Sequence, residues 1–558
     1  MGTWRHGMGV ADGLTRRGLL TGAAAAGAAS LLRPPAGLAS ALLAADTVFS
    51  RRLGTVSGES TPIRAPRRFA LVGIEWSSPR GAGVELRAQA PDGRWSPWVI
   101  ASALGHDGDG QPTDGSLFGE PVWTGPAIRV QLRTDRPIAG VRVHFVSANL
   151  GPGAGAAAAL PHATPVLDAG PGQPPIIARR GWAGGAAQPR HLPEYGHIKL
   201  AFVHHTVNPN GYGPGAVPAM LRAIFDYHVH VRGWWDIGYN FIVDAYGRVW
   251  EGRAGGVDMA VVGAQAGAYN TESTGVAMLG DFMNVVPSPA AMQALEQLLA
   301  WKLSLHGVPA TGRTTVIVDP KDAYYTRFRP GAHVSLPRIA GHRDGDLTDC
   351  PGNALYASLQ SVRSKVSQLA GTPAQVTAHP APALITAGSL LELTGKLALL
   401  GGQPLSGQPL ELQRMGPNGP PATTFATLTT GSDGTWAQTV SFEQNTLVRA
   451  LHREAPAAVA DWVEISVAPA ITVSVQSTSP LVLAGTVAPA QKQVTLELHR
   501  ATAPRGKPVS RRRVRAAAGA FRGSLRVPGP GNYVVIARTA AGRLNAAGSS
   551  APVPLTVA

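Results

Sequence analysis

Two histidine positions and a lone cysteine are the residues of this 558-residue chain whose types and spacing could do chemistry together. AFVHHT at 201–206 sets His204 and His205 at the end of an apolar run, RIAG leads to His342, and Cys350 follows in the polar stretch GHRDGDLTDCPG. Imidazole nitrogen and thiolate sulfur are good donors to a borderline-soft cation such as Zn2+, and three protein ligands leave the fourth tetrahedral position open to water. That composition points to a catalytic rather than a structural metal site. Spacing alone leaves two matters open. Side chains alternate along a strand, so only one of His204 and His205 faces a given pocket, and a lone cysteine also serves as a small buried hydrophobe. With Cys350 as the single cysteine, no internal disulfide is possible.

Such a site needs a scaffold, and the surrounding sequence supplies one. Apolar runs at 200–206, 239–244, 249–251, 274–279 and 338–341 predict strands. Helical patterns fall between them. One covers 214–231; a second is capped by Ser288 with Pro289 at its first position and runs to Gly307. A third places Leu355, Leu359, Val362 and Val366 on one face before Gly371. Strands interspersed with helices predict a central α/β domain with a mixed sheet over 176–371.

The flanks read differently. Residues 46–150 carry short alternating runs (Val84, Leu86, Ala88; Val130, Leu132; Val141, Val143, Phe145) and a turn at Pro91-Asp92-Gly93, which predict an N-terminal β-sandwich. A Gly/Ala/Pro-rich linker spans 151–175. Beyond 372 the chain repeats: LELTG at 391 answers LVLAG at 481, LELQR at 410 answers LELHR at 496, GTW at 434 answers GAF at 519, and ISV at 465 answers LTV at 555. Two copies of one β-domain, 372–468 and 469–558, are expected, each an immunoglobulin-like β-sandwich. The fold class is therefore multidomain: a central α/β domain between an N-terminal β-sandwich and two C-terminal repeats.

Arg16-Arg17 stands directly before a 15-residue apolar run of small residues, with Ala39-Ser40-Ala41 as a cleavage signal, so residues 1–45 read as a twin-arginine export segment. The run is too short for a spanning helix, and no transmembrane segment is expected in the mature protein. A net charge of +15 suits any polyanion. Export argues against nucleic acid and for the bacterial envelope, leaving the protein secreted or cell-wall associated. The run Arg511-Arg512-Arg513-Val514-Arg515 is either a solvated strand or a contact for an anionic polymer.

Four stretches, FVHHT, DIGYNFIVDAYGRVWEGRAGG, GAQAGAYNTESTGVAMLGDF and GHRDGDLTDCPG, occur in this order. Together they resemble the type 2 N-acetylmuramoyl-L-alanine amidases and the peptidoglycan recognition proteins that share their fold. The resemblance implies Zn2+ held by His204, His342 and Cys350, with His205 packed on the opposite face. It implies Tyr239 beside the metal, orienting water and the developing oxyanion, and Thr348 where phage members carry lysine and many recognition-protein amidases carry threonine. His228, Arg253 and Asn270 match positions along or under the peptide groove. Gln265 stands where many relatives have histidine, and the insert at 308–335 exceeds the minimal domain, as either a groove hairpin or a decoration. Glu251 reads as a strand residue and Asp344, Asp346 and Asp349 as turn residues, so the proton acceptor is unassigned. The implied function is cleavage of the bond between N-acetylmuramic acid and the L-alanine of the peptidoglycan stem. The alternatives are a module that only binds peptidoglycan, or a wall-attached scaffold. Anionic cell-wall polymers are further expected partners.

Overall fold

The computed structural model describes residues 47–79, 81–101, 115–147, 172–454 and 456–558. The export segment and nearly all of the 151–175 linker lie outside the described residues.

The central domain is built on six strands: β1 (Ile176–Ile177), β2 (Leu200–His205), β3 (Phe241–Val243), β4 (Val249–Glu251), β5 (Ser273–Met278) and β6 (Ile339–Gly341), in the order β6-β2-β5-β3-β4-β1. β2 lies between β6 and β5 and is parallel to both. All six of its residues are buried. A strand covered on both faces has no solvent side, which is why its sequence is continuously apolar up to the histidines. Ala201 pairs with Ile339 and Val203 with Gly341, so β2 and β6 finish at the same sheet edge and bring His204 and His342 side by side. Carboxyl ends of parallel strands are where such sheets present ligand sites.

Three long helices cover the sheet: α1 (Val217–His230), α2 (Pro289–Leu305) and α3 (Asn353–Ala370). The Ser288 hydroxyl accepts the Ala291 N–H at 3.1 Å, capping α2 as its sequence predicts. Leu295, Leu299, Leu359 and Val362 from α2 and α3 pack on Val203, Val276 and Met278. On the opposite face α1 packs Met220, Leu221 and Ile224 against Ile242 and Ala277. The 308–335 insert takes the hairpin alternative, Arg313–Ile317 with His333–Pro337, whose Val316 and Leu336 share a core with Leu200 and Phe202.

In the N-terminal domain the runs near 130 and 141 are parts of one strand, Val122–Val146. It bends so far that Leu71 on Ile63–Trp76 faces both Trp123 and Val146. Periodicity reads the two arms as separate strands because a bend resets the local pattern. This end of the domain is docked on α1: Ala70, Leu71, Trp123 and Val146 share one core with Met220, Leu221 and Tyr227. The approach is so close that a Cβ on Gly73 would lie 2.1 Å from the Tyr227 ring.

The C-terminal region is built of strands, and its internal repeat has a packing cause. A Cβ on Gly395 would stand 1.9 Å from Thr377 O and 2.5 Å from the Trp436 ring; on Gly485 the values are 2.0 Å from Thr472 O and 2.5 Å from Phe521. The glycine of LELTG and LVLAG and the aromatic of GTW and GAF are thus two halves of one contact. The copies differ in sheet arrangement: the strands of the first are divided between two sheets, those of the second form a single eight-stranded sheet.

The first copy packs on the central domain. Leu451, Ala457 and Val459 join the core under α2 and α3, Arg449 pairs with Asp258, and Trp462 Nε1 reaches Met259 Sδ at 3.2 Å. Lys302 is buried next to this seam, donating to Val257 O and Met259 O at 2.8 Å each. Burial lowers its pKa to about 7, against the opposing pull of Asp258. Between pH 7 and 10.5 the unfolded chain therefore binds a proton that the folded chain does not, and stability rises with pH by at most about 1.4 kcal/mol per unit. Thermal unfolding should show a midpoint climbing from pH 7.5 to 9.5, with a clearly smaller climb in Lys302→Met. Equal slopes would mean that Lys302 stays charged.

Candidate metal centre

His204 Nε2–H donates to Gln265 Oε1 at 2.5 Å, and His342 Nε2–H donates to Asp346 Oδ2 at 2.9 Å. Oxygen acceptors fix the tautomers, making Nδ1 the ligating atom of each ring. His204 Nδ1 lies 3.7 Å from Cys350 Sγ, and the two imidazole centroids are 4.6 Å apart. One donor atom from each of His204, His342 and Cys350 falls within 4.8 Å of the other two. All three residues are buried. The loop that brings Cys350 back is short and tied: Arg343 N–H donates to Cys350 O at 3.0 Å, Cys350 N–H to Thr348 Oγ1 at 3.1 Å, and the His205 N–H to Cys350 Sγ at 3.4 Å. Two oriented imidazoles and one thiol, each steadied by outer hydrogen bonds, fit a zinc ion. In the bare protein burial pushes the Cys350 thiol far up, with the nearby Glu120 charge adding to it, so metal uptake must displace a proton.

Tyr239 borders this group, its ring 5.6 Å from that of His204 and 5.8 Å from that of His228. Burial first, then the charge of Glu120, holds its phenol well above the ordinary value. It remains a hydrogen-bond donor throughout the working pH range. His205 takes the other face of the sheet, where its Nδ1 accepts the Phe282 N–H at 3.3 Å.

The three residues expected along or under the peptide groove are buried. His228 Nδ1 accepts the Gly238 N–H at 3.1 Å and its ring packs on Trp234 at 4.4 Å. Arg253 Nη1 reaches Ile237 O at 3.4 Å, and Asn270 Oδ1 accepts the backbone N–H groups of Gln265 and Ala266 at 2.9 and 3.0 Å. They hold the loops that carry Tyr239 and Gln265. Asp346 also needs correcting. It is the carboxylate that orients His342, whereas Asp344 accepts the Gly341 N–H and the Tyr356 hydroxyl. The four-residue spacing from His342 was the available signal. Gln265, noted for its departure from relatives, is the partner that orients His204.

What the sheet and this donor set define is a class of hydrolase and recognition domain. Residues 194–353 match the N-acetylmuramoyl-L-alanine amidase family, and residues 31–166 match a domain described as Rv3811 N-terminal galactose-binding domain-like. Peptidoglycan-recognition protein 1 of Holotrichia diomphalia is 30% identical over 188 residues, covering 34% of this chain and 80% of that protein. Peptidoglycan-recognition protein LB of Drosophila melanogaster is 28% identical over 188 residues, 33% of this chain and 68% of that protein. The human N-acetylmuramoyl-L-alanine amidase is 31% identical over 197 residues, 34% of this chain and 28% of its own length. A solved structure of peptidoglycan recognition protein-LE in complex with tracheal cytotoxin is 27% identical, over 33% of this chain and 92% of that one, with a TM-score of 0.25. The chain belongs to the type 2 N-acetylmuramoyl-L-alanine amidase and peptidoglycan-recognition protein family.

Proposed function

We propose that the protein is a zinc-dependent peptidoglycan hydrolase that cleaves the amide between N-acetylmuramic acid and the L-alanine of the stem peptide. One observation carries this reading: His204, His342 and Cys350 offer three donors in one buried group, with Tyr239 alongside. A reading in which the domain only binds peptidoglycan gives this buried thiol between two oriented imidazoles nothing to do.

Zinc held by His204 Nδ1, His342 Nδ1 and Cys350 Sγ would supply Lewis acidity toward the amide carbonyl and a lowered pKa for water. The chain's own groups do the rest. Tyr239, kept protonated, donates a hydrogen bond to the oxygen on which negative charge develops. Thr348 acts through the ligand loop, since its hydroxyl oxygen accepts the Cys350 N–H. His228, Arg253 and Asn270 shape the floor of the site through the backbone they hold.

The test is mass spectrometry of peptidoglycan after incubation with the zinc-loaded and the chelated protein. Stem peptides with a free L-alanine amino terminus, released only with zinc, support the amidase. Muropeptides that bind but remain whole make the protein a recognition module.

We read the C-terminal repeats as immunoglobulin-like modules that hold an exported enzyme on the wall, with the second repeat in contact with anionic polymers. Charge supports that division: residues 469–558 contain 12 Lys and Arg and a single acidic residue, while 372–468 contain 4 and 7. Arg511, Arg513 and Arg515 are exposed on the strand Ser510–Ala517, and Arg513 and Arg538 flank Thr495 on the neighbouring strand. Replacing Arg511, Arg513 and Arg515 by Gln should weaken sedimentation of the full chain with purified wall by about tenfold at low salt, and much less at high salt where the charges are screened. Unchanged sedimentation at low salt would move the attachment elsewhere.

A further inference from the structure

Each of the two imidazoles offered to the metal is held from behind, His204 by Gln265 and His342 by Asp346. The 308–335 insert touches the supports of both. On one side it meets the turn Gly267–Glu272, whose Asn270 holds the backbone of Gln265. Asp319 N–H donates to Ala268 O and Ile317 N–H to Glu272 Oε2, at 3.0 Å each, and Val316 and Val318 share a core with Ala266 and Tyr269. On the other side the insert meets the loop between His342 and Cys350.

This second contact is centred on Asp346. Residues 325–327 run antiparallel to 345–347, with Thr326 bridged to Asp346. Leu347 N–H donates to Tyr325 O at 2.7 Å and Arg327 N–H to Gly345 O at 2.9 Å. Two side chains add to the backbone pair. The Thr326 hydroxyl lies 2.8 Å from that of Tyr269 and donates to Gly345 O at 3.2 Å, while Arg327 Nε–H donates to Asp346 O at 3.0 Å. Three consecutive residues are thereby fixed from outside their own loop. Within the loop, Gly345 and Asp346 both donate to His342 O at 3.1 Å, at the end of a 3-10 turn of three residues, where hydrogen-bond geometry is poor.

Burial separates placement from stability here. Asp346 is buried, whereas Arg327 is exposed. Surface side chains seldom contribute much to the stability of a fold. What Arg327 Nε holds is the carbonyl of the very residue whose carboxylate meets His342 Nε2 at 2.9 Å. A carboxylate in that position sets both the orientation and the basicity of a ligating imidazole.

We propose that the insert is a working part of the metal centre and that Thr326 and Arg327 are positioning residues, which act on the metal through Asp346 and His342. The proposal rests on the zinc reading above. One element then ties together the supports of both histidines, reaching the His204 side through Gly267–Glu272 and the His342 side through Asp346. Removing the Arg327 side chain leaves His204, His342 and Cys350 all present, and loosens only the carboxylate that aims His342.

The test is zinc affinity, measured in the full chain by competition with a chelator, for Arg327→Ala, Asp346→Asn and the double variant. Each single change should weaken zinc binding about tenfold or more. The double variant should bind within threefold of Asp346→Asn alone, because both changes act through one hydrogen bond, whereas independent effects would multiply. Cobalt(II) in place of zinc makes the ligand geometry visible, and its absorption bands should move in the same direction in both single variants. The thermal midpoint of metal-free Arg327→Ala should stay within about 2 °C of the unaltered protein. Zinc affinity within twofold of the unaltered protein in Arg327→Ala overturns the proposal, and so do losses that multiply in the double variant. If Arg327→Ala does not fold, Thr326→Val takes its place under the same expectations, since it keeps the side chain's shape and removes the hydroxyl that meets Gly345 O. An unaltered protein that takes up neither zinc nor cobalt sinks the zinc reading itself, and that result is seen before any variant is made.

Discussion

Cys350→Ala is expected to lose both zinc and hydrolysis. The thiol supplies one of three donors, and it is the only one that brings negative charge to the ion. Losing a hydrogen bond behind a metal ligand typically costs about 10–100-fold in metal affinity, and losing the ligand itself costs more. The fold should survive, because the change removes one buried sulfur and a 3.4 Å contact from the His205 N–H, worth roughly 1–2 kcal/mol. Metal analysis after dialysis should find zinc in the unaltered protein and none in the variant, with thermal midpoints of the two metal-free proteins a few degrees apart. Because burial holds the free thiol protonated, zinc binding near pH 7 should release a proton. Calorimetry in buffers of different ionisation enthalpy measures that release directly. A Cys350→Ala protein that retains zinc and activity would move the metal site elsewhere.

Tyr239→Phe should separate chemistry from binding. The ring lies beside that of His204 and its hydroxyl stays protonated, so its contribution is expected to grow as charge develops on the carbonyl oxygen. Removing one such donor typically lowers kcat about 10²–10³-fold, or about 2.7–4 kcal/mol. KM and zinc content should hold, because the ring remains packed against His204 and His228. A loss of less than threefold would make Tyr239 a packing residue. An equal rise in KM with unchanged kcat would make it a substrate-binding one.

The residues of the site and the order of its elements can be read from sequence because both are local properties. The HH pair ends an apolar run, His342 ends another, and Cys350 follows within one loop; periodicity, caps and glycines mark the strands and helices between them. The repeat was equally visible, since Gly395 with Trp436 and Gly485 with Phe521 recur at matching positions. The resemblance of the stretch DIGYNF to the family also singled out Tyr239. Tertiary structure decided which groups support these residues. Asn270, His228 and Arg253 are buried and each meets backbone of its own domain. Gln265 and Asp346 became the partners of His204 and His342 because the sheet edge and a short turn set their oxygens at Nε2. Most of all, nothing in the sequence near Gly73 ties it to Tyr227 in another domain. That meeting depends on one strand bending until both ends pair with the same neighbour, and on a glycine thin enough to let two domains close on Tyr227. Long-range approach of this kind leaves no periodic trace in a sequence, because it is set by which packed surfaces fit together.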